Sequence, residues 1–576
     1  MGVNAIEPIQ ALESLRDSTF DALSAYSEVV DNSIQADANA IAIEMEVVDQ
    51  NRKTLTDYQK IIKSRGSKIK TIAFIDDGHG MDSETLGRCL QLGFGTRLND
   101  RKGIGRFGVG MTLGAIHECQ LVEVFSKQSG ASNWLYTKLD ISQGDCTIPT
   151  PFASVPPNAL LETWEEIKQQ DSGTIVVWSL YDRQNQSSAS LLEGIHDEFS
   201  RVYRKFLAGT DLSGVFEIKK PIAMFVNGKR LKVHDPLFVD VKNSAFPEDV
   251  PATEAKSIEF DWLVEEIDAG KLGLPKGTVG KVVIRMSLYP EFLRSKQGAG
   301  SSKESKDRRI GSLHQGFSIC RAGKEVYFGA IPYWRGANKE IDRFWGCEIN
   351  FLPLLDRSFK VRNIKVGAEP IGELKEIIYE KTYPTIKGYR QEIQKLWRNT
   401  KVKEDIASGK HHTKREEVLK VLSKVKQLPN PKWTDEVEET QTLERILETS
   451  KEVEPKLTLE ELRNRLEEGD LHVEEGRLPS KTTLYQTDYL GKKLVVVYNL
   501  NHTFHNEVEN LISDLEAEVG EDTPIRKFRI IVDALLICFE MAVREVDPER
   551  TSSFKNFCAE LRNKWSFKLK QTFGVK

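Results

Sequence analysis

The sequence predicts an α+β protein of several domains, and three observations carry that prediction. Apolar and polar positions alternate at helical spacing over residues 18–40, as on a half-buried helix. Apolar runs of strand length follow at 41–48, 70–76, 121–126, 133–139 and 173–180, bounded by polar turns. Helical patterns at 83–92 and 112–118 fall between them, an order that fits one sheet with helices packed against one face.

Each element has its own signal. The first helix has Asp17 or Ser18 as its expected cap, since a short polar side chain there satisfies free amides. The run I-A-I-E-M-E-V-V (41–48) is rich in branched residues, as strands are. The run K-T-I-A-F-I-D (70–76) ends in acid and is followed by Asp77 and Gly78. Residues 93–110 are rich in glycine with polar interruptions and read as a mobile loop. A second, strand-rich region starts near 215, with strands at 222–226, 280–288, 316–321 and 347–351, then a long helix at 369–398. Within it, residues 294–309 carry six basic against two acidic side chains among small polar residues, the composition of a solvated, flexible loop. Residues 401–455 are charged and broken by Pro429 and Pro431, and read as a helical linker. The last region, 456–576, shows one clear strand at 493–498 and several amphipathic helices, a mostly helical α/β region. The expected domains are therefore 1–214, 215–400, 401–455 and 456–576.

Composition narrows the class. The 576 residues, 39% hydrophobic and 29% charged, fit a globular protein of about three or four domains. A net charge of -5 argues against coating nucleic acid through bulk charge, though not against a local basic groove. The seven cysteines show no C-x-x-C spacing, which favours reduced thiols in a cytosol over zinc or disulfides. No signal peptide and no run of 18 apolar residues is present, so a cytoplasmic protein without a membrane span is expected.

Three motifs carry chemistry. Glu28 and Asn32 in E-V-V-D-N-S are four apart and share a helical face. A carboxylate there can orient and deprotonate water; a carboxamide oxygen can ligate a hard divalent cation. Asp76-Asp77-Gly78-His79-Gly80-Met81 ends a strand; its glycines let the backbone come close to a flat ligand, and Asp76 can accept from an amine. Gly103-Ile104-Gly105-Arg106-Phe107-Gly108-Val109-Gly110 precedes a helix, where exposed amides and the helix start favour phosphate. Taken singly, each fits an ordinary feature as well: a solvated helix stripe, an Asp-Gly turn, a glycine loop. The G-x-G-x-x-G string does not follow the first strand, which counts against a Rossmann site, and no G-x-x-x-x-G-K-[ST] string exists.

Order and spacing together resemble the GHKL superfamily, which includes topoisomerase ATPase subunits, MutL, heat-shock-ninety chaperones, sensor histidine kinases and MORC proteins. The Glu-to-Asn helix, D-x-G-x-G at Asp76, Gly78 and Gly80, the glycine-rich lid and Gly173-Thr174 occur in family order. The resemblance implies a Bergerat-fold domain binding ATP with Mg²⁺. It assigns Glu28 as general base, Asn32 as Mg²⁺ ligand, and Asp76 as acceptor of the adenine amine, helped by Thr174. Gly103, Gly105, Arg106, Phe107, Gly108, Val109, Gly110 and Met111 would form the phosphate lid, with Thr96 and Arg97 at its start and Met81 beside the adenine turn. Gln35 replaces an acid that many relatives carry, and Asp31 is a candidate for orienting Asn32 or a basic residue.

The second region would be an S5-like transducer domain whose Lys365, in N-I-K, reaches the terminal phosphate, with Lys360 as the alternative. By the same resemblance, ATP would close a homodimeric clamp on double-stranded DNA, with partner proteins of one system, in bacterial defence or DNA maintenance. The basic segments 294–309 and 555–570 offer positive surface for it. A clamp acting on proteins and a nucleotide-sensing subunit are the other readings. His502 and His505 lack partners for a recognisable metal set and read as core or turn residues.

Overall fold

The computed structural model describes residues 7–17, 21–94, 103–104, 110–157, 171–311, 316–329, 340–361, 368–407, 436–451, 457–467, 471–480, 482–490, 493–504, 507, 524–546 and 552–573. The chain divides into two compact units, Met1–Ile393 and Gln394–Lys576.

The first unit opens with helix α1 (Pro8–Arg16), which Asp17 terminates. Helix α2 (Ala22–Gln35) starts later than the periodicity indicates. Its cap is Asp21, which accepts from the Ser24 amide at 2.9 Å and the Ser24 hydroxyl at 2.6 Å. Asp17 is not its cap, and Ser18 lies outside the described residues.

The strands β1 (Ala40–Val48), β2 (Thr54–Leu55), β3 (Lys68–Asp76), β4 (Cys119–Lys127), β5 (Leu135–Asp140), β6 (Phe152–Ala153), β7 (Gly173–Tyr181), β8 (Ala223–Val226) and β9 (Lys229–Arg230) form one sheet. Its order is β6-β5-β4-β7-β3-β1-β8-β9, with β2 on β1. Among the described residues of this sheet only β1 and β8 pair in parallel. Helices α3 (Tyr58–Lys63), α4 (Ser83–Arg88), α5 (Gly110–Glu118), α6 (Ser188–Val202) and α7 (Arg204–Ala208) complete this layer.

Strand alternation decides the core. Ile41, Ile43 and Met45 of β1, Phe74 of β3 and Trp178 of β7 pack with Tyr26 and Val30 of α2, Ile116 of α5 and Ile195 of α6. Each such buried apolar side chain contributes roughly 1.5–3 kcal/mol relative to exposure. The opposite face holds a smaller cluster of Ala42, Ala73, Ile75, Phe125, Ile175 and Val177. The helices thus lie on one face, as the pattern implies. The strand near 222–226 belongs to this first sheet, because β8 pairs along β1. A boundary at 214 would cut the sheet. Apolar pattern marks a strand but does not say which sheet receives it.

The second sheet contains β10 (Thr253–Glu254), β11 (Ile258–Leu263), β12 (Val279–Leu288), β13 (Phe317–Arg321), β14 (Lys324–Gly329) and β15 (Trp345–Phe351). Its order is β10-β12-β15-β13-β14, with β11 on β12. The segment 294–309 is not an open loop: it folds into a 3-10 turn (Ala299–Ser301) and a short helix (Lys303–Asp307). Three of its arginines are paired inside the unit, Arg294 with Glu392, Arg308 with Asp249 and Arg309 with Asp197. Counting cations shows their number but not their partners.

The second unit has a three-stranded sheet, β16 (Leu471–Gly476), β17 (Tyr485–Leu490) and β18 (Lys493–Asn499), in the order β16-β18-β17. Sequence patterning marks only β18, since L-H-V-E-E-G and Y-Q-T-D-Y-L carry too many polar residues. Leu494, Val496 and Ile537 pack on one face of this sheet, and Val495, Val497 and Leu462 on the other. His502 is fully buried, its Nε2 3.1 Å from the Ser566 carbonyl, and His505 lies outside the described residues. Among the described residues no helix is long and apolar enough to cross a membrane. None of them form a His/Cys/Asp/Glu cluster that could hold a metal.

Candidate functional site

The site is built on the mouth of the first sheet, where β3 ends. Asp76 is buried there, and its register partner is Thr174 on β7. Thr174 in turn faces Ser126 on β4. Cross-strand partners present side chains to the same face, so Asp76, Thr174 and Ser126 form one row. The Ser126 hydroxyl is 3.0 Å from Thr174 Oγ1 and 2.8 Å from the Met81 amide, which donates to it. It thereby ties the turn after Asp76 to the row.

Asp76 accepts from the Ser33 hydroxyl at 2.7 Å and the Gly78 amide at 3.0 Å. Burial raises its carboxyl from 3.8 to about 6, and these two hydrogen bonds offset only part of that rise. Its neighbour Asp77 has a different task. It accepts from the Asn39 and Ala40 amides at 2.6 and 2.9 Å and so fixes the link from α2 to β1. The turn leaves no room for a side chain at either glycine. A Cβ on Gly80, which has φ +69°, would lie 2.1 Å from the Lys127 carbonyl oxygen. One on Gly78 would lie 2.7 Å from Ala36 Cβ. His79 Nδ1 sits 2.7 Å from the Gly80 carbonyl oxygen and serves the turn.

Helix α2 supplies the other wall. Glu28 is nearly buried and Asn32, one turn on, is exposed. A Cβ on Gly110, the first residue of α5, would lie 1.9 Å from Glu28 Oε2. The missing side chain is what lets the Glu28 carboxylate rest against the start of α5. Farther along the two helices Gly114 faces Ala25, where a Cβ would meet the Ala25 Cα at 3.0 Å. Small residues therefore set how closely α2 and α5 approach. Gln35 donates to the Asp31 carbonyl at 3.1 Å, a bond within its own helix.

The second sheet reaches this wall. Lys324 Nζ donates to Asp31 Oδ2 at 2.9 Å with both groups buried, and Tyr203 donates to Asp31 Oδ1 at 2.9 Å. Arg321 donates to Asp356 at 2.6 and 3.0 Å, to the Ile104 carbonyl at 2.8 Å and to the Gly103 carbonyl at 3.3 Å. Asp31 thus meets a basic residue, but one that sequence reading did not single out.

The structure brings together Glu28, Asn32, Asp76, Gly78, Gly80, Met81, Gly110 and Thr174, with Met111 packed on the adjoining core. Thr96, Arg97, Gly105, Arg106, Phe107, Gly108, Val109 and Lys365 lie outside the described residues. Lys360 is exposed and pairs with Glu369 at 3.7 Å. Ser33, Ser126, Arg321 and Lys324 were missed. Ser33 sits inside E-V-V-D-N-S and could have been found from its spacing; the others are visible only through strand register and tertiary contact.

Residues 20–174 match the family of histidine kinase-, DNA gyrase B-, and HSP90-like ATPases. This part of the chain is a GHKL-type, ATP-binding domain of mixed α+β fold. No curated protein matches the chain. Among solved structures it is similar to the N-terminal domain of a DNA repair protein. Identity is 14% and the TM-score 0.37, over 66% of this chain and 99% of that one.

Proposed function

We propose that the protein hydrolyses ATP with Mg²⁺ and uses the nucleotide cycle to drive a conformational clamp. The observation that carries this reading is the Glu28 carboxylate held against Gly110, one helical turn before the exposed Asn32. A carboxylate at that place can take a proton from an attacking water. The Asn32 carboxamide oxygen would hold Mg²⁺, which is commonly bound through one or two protein oxygens plus phosphates rather than in an all-protein cage. Bound Mg²⁺ would offset charge on the transferred phosphate oxygens. Asp76, held in place by Ser33 and Gly78, accepts the adenine amine, and Thr174 assists from the adjoining strand. Lys365 supplies a cation to the terminal phosphate, and the lid residues Gly105 to Val109 close over it. The experiment is steady-state ATP turnover and ATP binding in wild type and Glu28→Ala. Binding without turnover in the variant is the expected result, and unchanged turnover sinks the assignment of the base.

The clamp acts on duplex DNA in this reading, as a homodimer closed by ATP, within a defence or DNA-maintenance system. Support comes from the family resemblance and from the exposed Lys296, Lys303 and Lys306. The paired arginines of the same segment do not contribute. ATP turnover with and without duplex DNA at rising salt tests it, because charge-driven contacts weaken as counterions compete. Stimulation by a protein client and indifference to DNA would favour the protein clamp instead.

A further inference from the structure

The contacts at Arg321 and Lys324 come from a single hairpin turn. Arg321 and Lys324 are register partners at the ends of β13 and β14, separated only by Ala322 and Gly323. Both central residues have positive φ, 47° and 80°, the backbone of a two-residue hairpin that leaves its flanking side chains on one face. The tip is seated on the first layer: a Cβ on Gly323 would lie 3.0 Å from the Phe216 ring and 3.3 Å from the Phe206 ring. The next residue, Glu325, accepts from Arg201 at 2.6 Å and from Arg204 at 2.9 Å. The turn is therefore fixed on three sides.

From that position its two cations reach different parts of the nucleotide site. Lys324 holds Asp31, which precedes Asn32 and follows Glu28 by three residues on α2. Arg321 holds the carbonyls of Gly103 and Ile104, where the glycine-rich segment begins. We infer that Arg321 and Lys324 are positioning residues, Lys324 setting the rotation of α2 for hydrolysis and Arg321 setting the start of the glycine-rich segment for nucleotide binding. This rests on the ATPase reading. It makes turnover conditional on the second sheet being docked, since both contacts are made from one hairpin of that sheet. A buried cation facing a buried carboxylate in water-poor surroundings allows little displacement, and a misplacement of about 1 Å at a reacting group can lower a rate on the order of 100-fold.

Kinetics of the full chain test this. Lys324→Met should keep binding of a non-hydrolysable ATP analogue within about threefold and lower kcat by about 10- to 100-fold. Lys324→Arg should restore part of kcat. Because Lys324→Met leaves Asp31 without its lysine, the double variant Asp31→Asn with Lys324→Met removes the unmatched charge. It should fold as wild type yet keep the low kcat. Arg321→Lys retains a charge beside Asp356 but has one nitrogen instead of three. It should raise KM for ATP about five- to tenfold and leave kcat nearly unchanged. A double variant that folds and turns over at the wild-type rate would overturn the role of Lys324, and an unchanged KM in Arg321→Lys that of Arg321. A wild-type chain with no ATP turnover would overturn the hydrolase reading, and the inference with it.

Discussion

The two ends of the site are stabilised by opposite means. At the Asp76 end, a buried carboxylate is held by a hydroxyl and an amide, both from the first layer, and its carboxyl is raised to about 6. At the Glu28 end, the buried Asp31 is matched by Lys324 from the second sheet. The first end is complete within the segment that matches the GHKL family. The second needs residues almost 300 positions away, Lys324 and Asp31 being 293 apart. The Asp76 end is held by local contacts alone, whereas the wall bearing Glu28 draws a contact from another layer.

The largest expected effect breaks the Glu28 end alone. Glu28→Ala should lower turnover by on the order of 10²- to 10⁴-fold, the range of general-base removal, and retain ATP binding. Gly110→Ala tests the same wall while keeping the Glu28 side chain itself. Its Cβ would be 1.9 Å from Glu28 Oε2, so the carboxylate must swing away. Turnover should fall by about 100-fold with folding retained. Comparable rates in Gly110→Ala and wild type, measured by phosphate release, would show that the carboxylate position does not matter.

The Asp76 end should respond in two directions at once. The native state keeps the Asp76 proton up to about pH 6, whereas the unfolded chain releases it near 3.8. A raised carboxyl means that this group's stabilisation is complete below the unfolded value and is lost as pH rises through the folded one. A shift of about two units corresponds to roughly 3 kcal/mol withheld at neutral pH. Asp76→Asn should therefore be more stable than wild type at pH 8 by about 1–3 kcal/mol, with the gain fading toward pH 4. The same variant should lose ATP binding, because an amide has one acceptor oxygen, uncharged, where Asp76 uses two, toward Ser33 and Gly78. Urea denaturation at both pH values and calorimetric titration with ATP check the two halves. A less stable variant at pH 8 would contradict the burial account, and unchanged affinity would contradict the adenine role.

What the sequence made legible follows the same division. The helix of Glu28 and Asn32, the strand ending in Asp76 and the Gly173-Thr174 strand were readable because each is a local pattern. The placement of β8 in the first sheet was not, since a four-residue apolar strand carries no address. Nor was the role of R-A-G-K at 321–324, which in sequence is an ordinary hairpin turn with two cations. Those side chains acquire meaning only when folding places Asp31 and the Gly103 and Ile104 carbonyls opposite them. The arginines of 294–309 show the converse: a strong compositional signal whose charges are matched by Glu392, Asp249 and Asp197.

The smallest expected effect probes how self-sufficient the Asp76 end is. Ser126 is fully buried, accepts from the Met81 amide at 2.8 Å and lies 3.0 Å from Thr174 Oγ1. Ser126→Ala removes the hydroxyl and leaves that amide without its partner, at a cost of about 1–3 kcal/mol in stability. It touches neither Asp76 nor α2 directly. If the row across β3, β7 and β4 acts as one platform, the loosened Met81 turn should raise KM for ATP severalfold with kcat unchanged. If the platform ends at Thr174, stability should fall and KM stay at the wild-type value. Thermal melts beside steady-state kinetics separate these outcomes. Because the second sheet makes none of these contacts, the Ser126 result should not change when Lys324→Met is added, and additivity of the two variants in kcat/KM is what two independently built ends require.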